Sequence, residues 1–262
     1  MTIVSNATEE SKRFAIETIQ RAREYAEGFT VRVYGDAPRP LKGNALIELL
    51  RANMWREYVL GVEGPARLIA LIPHELIPLK HMLGSQVADE MRHSSVFSGR
   101  VAALGGDGEL GNYPPTEEDW QLVRATLDFD DPAELVTSLN CTGEVILQQT
   151  FMRLVERRIG QPGIVDDETA EMIERECLYD DDGEGDLIPV VDEETAKQLR
   201  KDVIPDEGRH VKFGRLVLQE FATTEEIRRR CREVQDRKFA ALDASHGRTM
   251  TDAKRLFGAL SA

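Results

Sequence analysis

The pentapeptide Asp89-Glu90-Met91-Arg92-His93 returns, with one change, as Asp206-Glu207-Gly208-Arg209-His210. Both copies read Asp-Glu-x-Arg-His, and both lie in stretches whose pattern reads as helix. On an α-helix, residues three apart share a face, one turn from each other. Glu90 therefore points the same way as His93, and Glu207 the same way as His210. A carboxylate and an imidazole on one face of each of two helices suit a pair of hard or borderline divalent metals, iron or manganese. One such pair is commonplace as surface neighbours or as an isolated salt bridge. Two copies carrying the same Asp and Arg point to a shared site, which needs further carboxylates from other helices.

Working outward from the first copy, an apolar stripe begins near Asn44 with Ala45, Leu46, Leu49 and Leu50. It extends toward Ile72, with Gly64-Pro65 as a kink or interruption. Pro73 and Pro78 bracket the turn into the helix of Glu90 and His93, which fades near Gly105-Gly106. In an antiparallel pair, residues equally far from the connecting turn lie level, which sets Glu57 opposite Glu90. Glu63 is the rival, but it is nearer the turn, and its face carries Arg56 and Arg67 and reads as solvated. The face of Glu57 carries Leu50, Met54, Gly61 and Leu68, which is core-like. A third helix opens at Asp131-Pro132, reaches about Ile159 and offers Glu134, Glu144 and Glu156. Glu144 lies in its middle, with Cys141, Gln148 and Phe151 on the same side. An unpaired carboxylate on such a face is costly, and a metal is a good partner for it. Gly61, Gly64 and Gly214 leave room either for a substrate channel or for close helix packing.

The 262 residues are rich in charge and poor in aromatics, as in soluble helical proteins. A net charge of −14 argues against a general binder of nucleic acid or anionic membrane, since no basic surplus is available to neutralise phosphates. No apolar run is long enough to span a bilayer and no secretory segment is evident, so a cytoplasmic location is expected. Cys141, Cys177 and Cys231 are odd in number and far apart, which fits a reducing compartment and excludes a zinc ribbon or rubredoxin-type iron site. The flanks read as a helix from Thr8 to about Glu27 followed by a short extended piece, Thr30 to Tyr34. Beyond the third helix comes an acidic stretch, Pro162 to Pro189, holding Asp180-Asp181-Asp182 and read as a solvated loop. Asp192-Glu193-Glu194 starts the helix of the second copy, with Pro205 as a kink beside it. A last charged helix spans roughly Thr224 to Leu242, and His246 falls in a short or loose tail beyond it.

In chain order the candidates are Glu57, Glu90 with His93, Glu144, and Glu207 with His210. With these residues the chain resembles the ferritin-like di-iron carboxylate superfamily over about Asn44 to Phe221. "DEMRHSSVF" and "DEGRHVKFG" look most like its dioxygen-activating oxidases and oxygenases, among them the aldehyde-deformylating oxygenases and arylamine N-oxygenases. The latter carry an additional His one turn before the second Glu-x-x-His, where this chain has Val203. The resemblance implies an all-α fold, a ferritin-like four-helix bundle with additional N- and C-terminal helices, as a single domain over residues 1–262. It implies two Fe ions, with Mn or a mixed Mn/Fe pair as an alternative. Glu90 and Glu207 would bridge them, Glu57 and Glu144 would be terminal ligands, and His93 and His210 would each bind one ion. Asp89 and Asp206 are candidates to orient these histidines, each crossing to the His of the other copy. The implied activity is oxidation of a small-molecule substrate by dioxygen, with an external electron donor. Other functions of the same superfamily are a ferroxidase or a manganese-containing catalase or oxidase, and a homodimer is compatible with either.

Overall fold

The computed structural model describes residues 6–34, 41–155 and 191–259. Glu156, Cys177 and the acidic stretch from Pro162 to Pro189 lie outside them. Every described element is helical. They are α1 (Glu9–Tyr34), α2 (Gly43–Arg56), α3 (Glu63–Leu71), α4 (Ile77–Ala103), α5 (Glu117–Leu127), α6 (Pro132–Ser138), α7 (Val145–Val155), α8 (Glu193–Asp202), α9 (Ile204–Phe221) and α10 (Glu225–Ala259). Two wide π-helical turns join neighbours into longer rods: Glu57–Val62 between α2 and α3, and Leu139–Glu144 between α6 and α7.

The helix starts are written in side chains. Thr116 and Asp119 form a reciprocal capping box at α5, the Thr hydroxyl accepting from Asp119 N at 3.2 Å and the carboxylate from Thr116 N at 3.0 Å. Asp131 caps α6 through Ala133 N at 2.9 Å, with Pro132 in the first turn. Asp192 caps α8 through Thr195 N at 2.8 Å. The chain breaks at Val203 (φ −123°, ψ −64°) before Pro205 enters the first turn of α9. Pro205 thus sits where its missing N–H costs nothing.

Four rods surround the centre: α2–α3, α4, α6–α7 and α9, with α1 and α10 packed outside. Their inner faces supply one continuous apolar core, including Leu49, Leu50, Met54, Leu68, Leu83, Phe97, Leu135, Phe151 and Leu218. Fully burying each such side chain contributes about 1.5–3 kcal/mol. The three glycines serve close packing: a Cβ at Gly61 would lie 2.8 Å from Glu90 Oε2, one at Gly64 2.7 Å from Leu139, and one at Gly214 2.2 Å from Asn140. None of the described helices is long and apolar enough to cross a membrane.

The flanks differ from the sequence expectation. Thr30 to Tyr34 is helical, not extended: its β-branched residues favour strands, but Phe29, Val33 and Tyr34 gain more by burial in the core. The last helix continues past Leu242 to Ala259. Its inward face there mixes the polar Ser245, His246 and Thr249 with Met250 and Ala253, all buried, so no continuous apolar stripe marks it. His246 lies far from any loose tail, its Nδ1 2.9 Å from the Tyr34 hydroxyl in a buried pair.

Candidate metal centre

Glu57 opens the first π-helical turn and Glu144 closes the second. A π turn carries an extra residue and re-aims the side chains around it, and such turns gather at functional sites. Gly64-Pro65, expected to kink this rod, follows the wide turn instead and lies within regular α3. Glu90 and His93 project from the middle of α4, and Glu207 and His210 from the first turns of α9. All six side chains are buried, His93, Glu207 and His210 completely.

The six meet as two overlapping quartets. Glu57, Glu90, His93 and Glu207 form one, and Glu90, Glu144, Glu207 and His210 the other, with ligand atoms in each within 4.8 Å of one another. Glu90 and Glu207 belong to both. His93 turns Nδ1 inward, 3.2 Å from Glu90, 3.4 Å from Glu207 and 3.6 Å from Glu57. His210 does the same, with Nδ1 2.8 Å from Glu90, 3.6 Å from Glu207 and 3.8 Å from Glu144. Glu63, the rival of Glu57, is exposed.

The outward nitrogens cross between the repeats. His93 Nε2–H donates to Asp206 at 3.2 Å, and His210 Nε2–H to Asp89 at 3.3 Å. Each aspartate is held in turn by both arginines of the motif. Arg92 reaches Asp89 at 3.0 Å and also contacts Asp206, while Arg209 reaches Asp89 at 2.7 Å and Asp206 at 2.6 Å. Burial opposes ionisation of Asp89, but His210 and the two arginines hold its carboxyl well below the usual range. A fixed anion on Nε2–H keeps Nδ1 free of a proton when a metal needs it. Asp89→Asn is therefore expected to weaken metal binding about 10–100-fold with the fold retained. Competition with a fluorescent chelator measures this, and an unchanged affinity would count against the orienting role.

Glu144 has a further anchor that the sequence did not disclose. Gln86, one turn before Glu90, donates to Glu144 Oε1 at 3.0 Å, and Asn140 donates to Gln86 at 2.8 Å and to the His210 carbonyl at 3.0 Å. An amide at i−4 of a candidate ligand was the available signal. The opposite outcome befell Arg56, whose face read as solvated. Arg56 is buried and paired with Asp119 at 2.8 Å, because α5 and α10 cover that side of α2.

Electrostatically the cluster is incomplete as protein alone. Burial pushes Glu57 up to about 8 despite His93, and burial together with Glu144 and Glu90 raises Glu207. Burial works against both imidazolium ions, yet the surrounding carboxylates raise His93 to about 12 and raise His210 as well. Among the described residues, neither oxygen of Glu207 has a hydrogen-bond donor, although both are buried. Leaving a buried carboxylate without donors costs several kcal/mol. Two divalent cations satisfy those oxygens and balance the four carboxylates, so the donor set fits metal ions.

A small cavity of about 20 Å³ adjoins the cluster, lined by Arg56, Glu57, Leu60, Leu139, Glu144 and Lys238, among others. Lys238, from α10, is buried, and burial pulls its ammonium down to about 7 against the pull of Glu144. No family model, no characterised protein and no solved structure matches the chain. The case for a function therefore rests on the residues and their arrangement.

Proposed function

We propose that the protein is a ferritin-like di-iron oxidase or oxygenase, which uses dioxygen to oxidise a small organic substrate. The observation that carries this reading is the pair of overlapping Glu/His quartets sharing Glu90 and Glu207, with both Glu207 oxygens buried and without a donor among the described residues. The shared carboxylates are suited to bridge two ions. Glu57 and His93 would complete one coordination sphere, and Glu144 and His210 the other. Iron bound there would supply the redox chemistry of dioxygen activation, with electrons from an external donor.

The chain's own residues do the rest. The crossed aspartates hold both imidazoles with Nδ1 inward. Gln86 fixes Glu144. Leu60, Leu139 and Leu147 give the adjoining cavity an apolar wall, which limits access of bulk water to the reacting atoms.

The test is metal content after loading with ferrous iron or manganese, with Glu144→Ala and His210→Ala alongside. About two ions per chain are expected in the wild type, with loss in both variants at unchanged helical circular dichroism. Reductant-dependent oxygen consumption would then be screened against aldehydes, acyl chains and aryl amines. Wild-type protein that holds neither metal, or that assembles into a large cage by mass, would overturn the proposal.

A further inference from the structure

A groove of about 310 Å³ lies on the outer surface between α1 and α9. Ile16, Ile19 and Arg23 line its α1 bank, and Val211, Lys212 and Arg215 its α9 bank. Ser11 Oγ donates to the Gln219 carbonyl at 2.7 Å, and later residues of α1 share the groove with earlier residues of α9, so the two helices run antiparallel. Ile19 and Val211 are buried, while Ile16 stands 57% exposed, which gives the groove an apolar lining. Gly208 lines it too, at the one position where the two pentapeptides differ. The first copy has Met91 there, a side chain turned outward and 53% exposed, and its loss in the second copy clears the groove. Glu207 and His210 occupy the inner face of α9, so the groove is separate from the Glu/His cluster.

Its cations differ from those elsewhere on the molecule. Every other arginine with a described side chain has an ion pair, a hydrogen bond or an aromatic ring, whereas Arg23 and Arg215 have none among the described residues. Arg215 Nε is buried without an acceptor, which costs free energy until one reaches it. Lys212, one turn before Arg215, likewise has no carboxylate within 4.0 Å among the described residues. A guanidinium keeps its proton in proteins, so the two arginine charges persist whatever binds. Three unmatched cations in one groove, on a chain of net charge −14, make a local positive field that attracts anions.

The chemistry of the banks narrows the anion. Guanidinium forks match phosphate and carboxylate oxygens, and an ammonium serves phosphate as a point charge. A phosphate monoester carries about −1.5 to −2 charge at pH 7 and three acceptor oxygens, while a single carboxylate would leave two of the three cations unmatched. The groove reaches the size of a small-molecule site, for which about 300 Å³ is the lower bound. We propose that it binds a small organic phosphate, with the phosphate among Arg23, Lys212 and Arg215 and an apolar body on Ile16, Ile19 and Val211. This site goes beyond the oxidase reading and needs no metal.

The experiment is calorimetric titration of the full chain, metal-free and metal-loaded, with phenyl phosphate, inorganic phosphate, benzoate, benzyl alcohol and polyglutamate. Phenyl phosphate should bind both forms at least about tenfold more tightly than benzoate or benzyl alcohol, since one charge-assisted contact is of that size. Inorganic phosphate should bind about tenfold more weakly for want of the apolar contacts. Arg215→Gln should weaken phenyl phosphate about tenfold with helical circular dichroism unchanged, and the exposed Arg23→Gln serves the same purpose should Arg215→Gln fail to fold. Ile16→Ser should narrow the gap between phenyl phosphate and inorganic phosphate. Binding seen in the metal-loaded protein alone would place the phosphate on the metals and overturn the proposal. Binding of polyglutamate without phenyl phosphate would assign the groove to an acidic protein segment and overturn it as well. No binding of phenyl phosphate, or binding that survives loss of both arginines, would do the same. A wild type that takes up no metal would count against the oxidase reading alone, since the metal-free titration still judges the groove.

Discussion

Chelating the metals from the loaded protein should lower its unfolding free energy by about 5 kcal/mol. The figure follows from linkage: a ligand that binds only the folded chain, present at 100 times its dissociation constant, stabilises by about 2.7 kcal/mol per site. The structural reason is the state of the ligands without metal. Four carboxylates and two imidazoles converge with almost no solvent, and both oxygens of Glu207 lack donors among the described residues. In the unfolded chain these groups are scattered and hydrated, so the metals gain their multidentate site only on folding. For a chain of this length the shift in Tm is roughly 10–20 °C. Thermal unfolding with and without a chelator measures it, and the shift should largely vanish in His210→Ala. An unchanged midpoint in the wild type would show that the cluster is stable on internal proton sharing alone.

The second large effect concerns the buried Arg56–Asp119 ion pair. Arg56→Met should destabilise the protein by about 3–5 kcal/mol, because it strands a buried charge. Asp119 would keep its bonds from Ser245 at 2.7 Å and the Tyr113 hydroxyl at 3.1 Å but lose its cation. The same pair gives a pH dependence. Burial opposes ionisation of Asp119, but Arg56 and the donated hydrogen bonds hold its folded carboxyl below the usual range. A depressed folded value contributes stability above the unfolded value of about 4, and that contribution drains away as pH falls below it. Urea unfolding at pH 7 and pH 3 should show the loss in the wild type. The acid slope should be shallower in Asp119→Asn, and identical slopes would contradict the assignment.

The cluster of buried Glu and His side chains was largely legible in the sequence because its spacing is local in the chain. Glu90 with His93, and Glu207 with His210, need only helical periodicity to face one way. Distance from the Pro73–Pro78 turn, together with the company of Leu50, Met54 and Leu68, separated Glu57 from Glu63. Glu144 stood out as a charge amid apolar neighbours. What stayed hidden depends on partners remote in sequence. Arg56 looked solvated because Asp119, Ser245 and Thr249, 63 to 193 residues away, make its burial tolerable. Lys238 passed as one more charge on a charged helix, since nothing near it in sequence marks the cavity it faces. The π turns carry no residue signature at all; they emerge from fitting Glu57 and Glu144 to a centre set by two other helices.

The crossed contacts, Asp89 to His210 and Asp206 to His93, join α4 and α9 at two points about one helical turn apart. Such bracing resists sliding in either direction. Shifting α9 along α4 by a single residue displaces it by about 1.5 Å, which would draw both imidazoles off their aspartates, with both arginines pulled from the same carboxylates. The relative height of the two helices and the separation of the two Glu/His quartets are thus linked. Any metal ions held there would take their spacing from the same truss that sets how the rods line up.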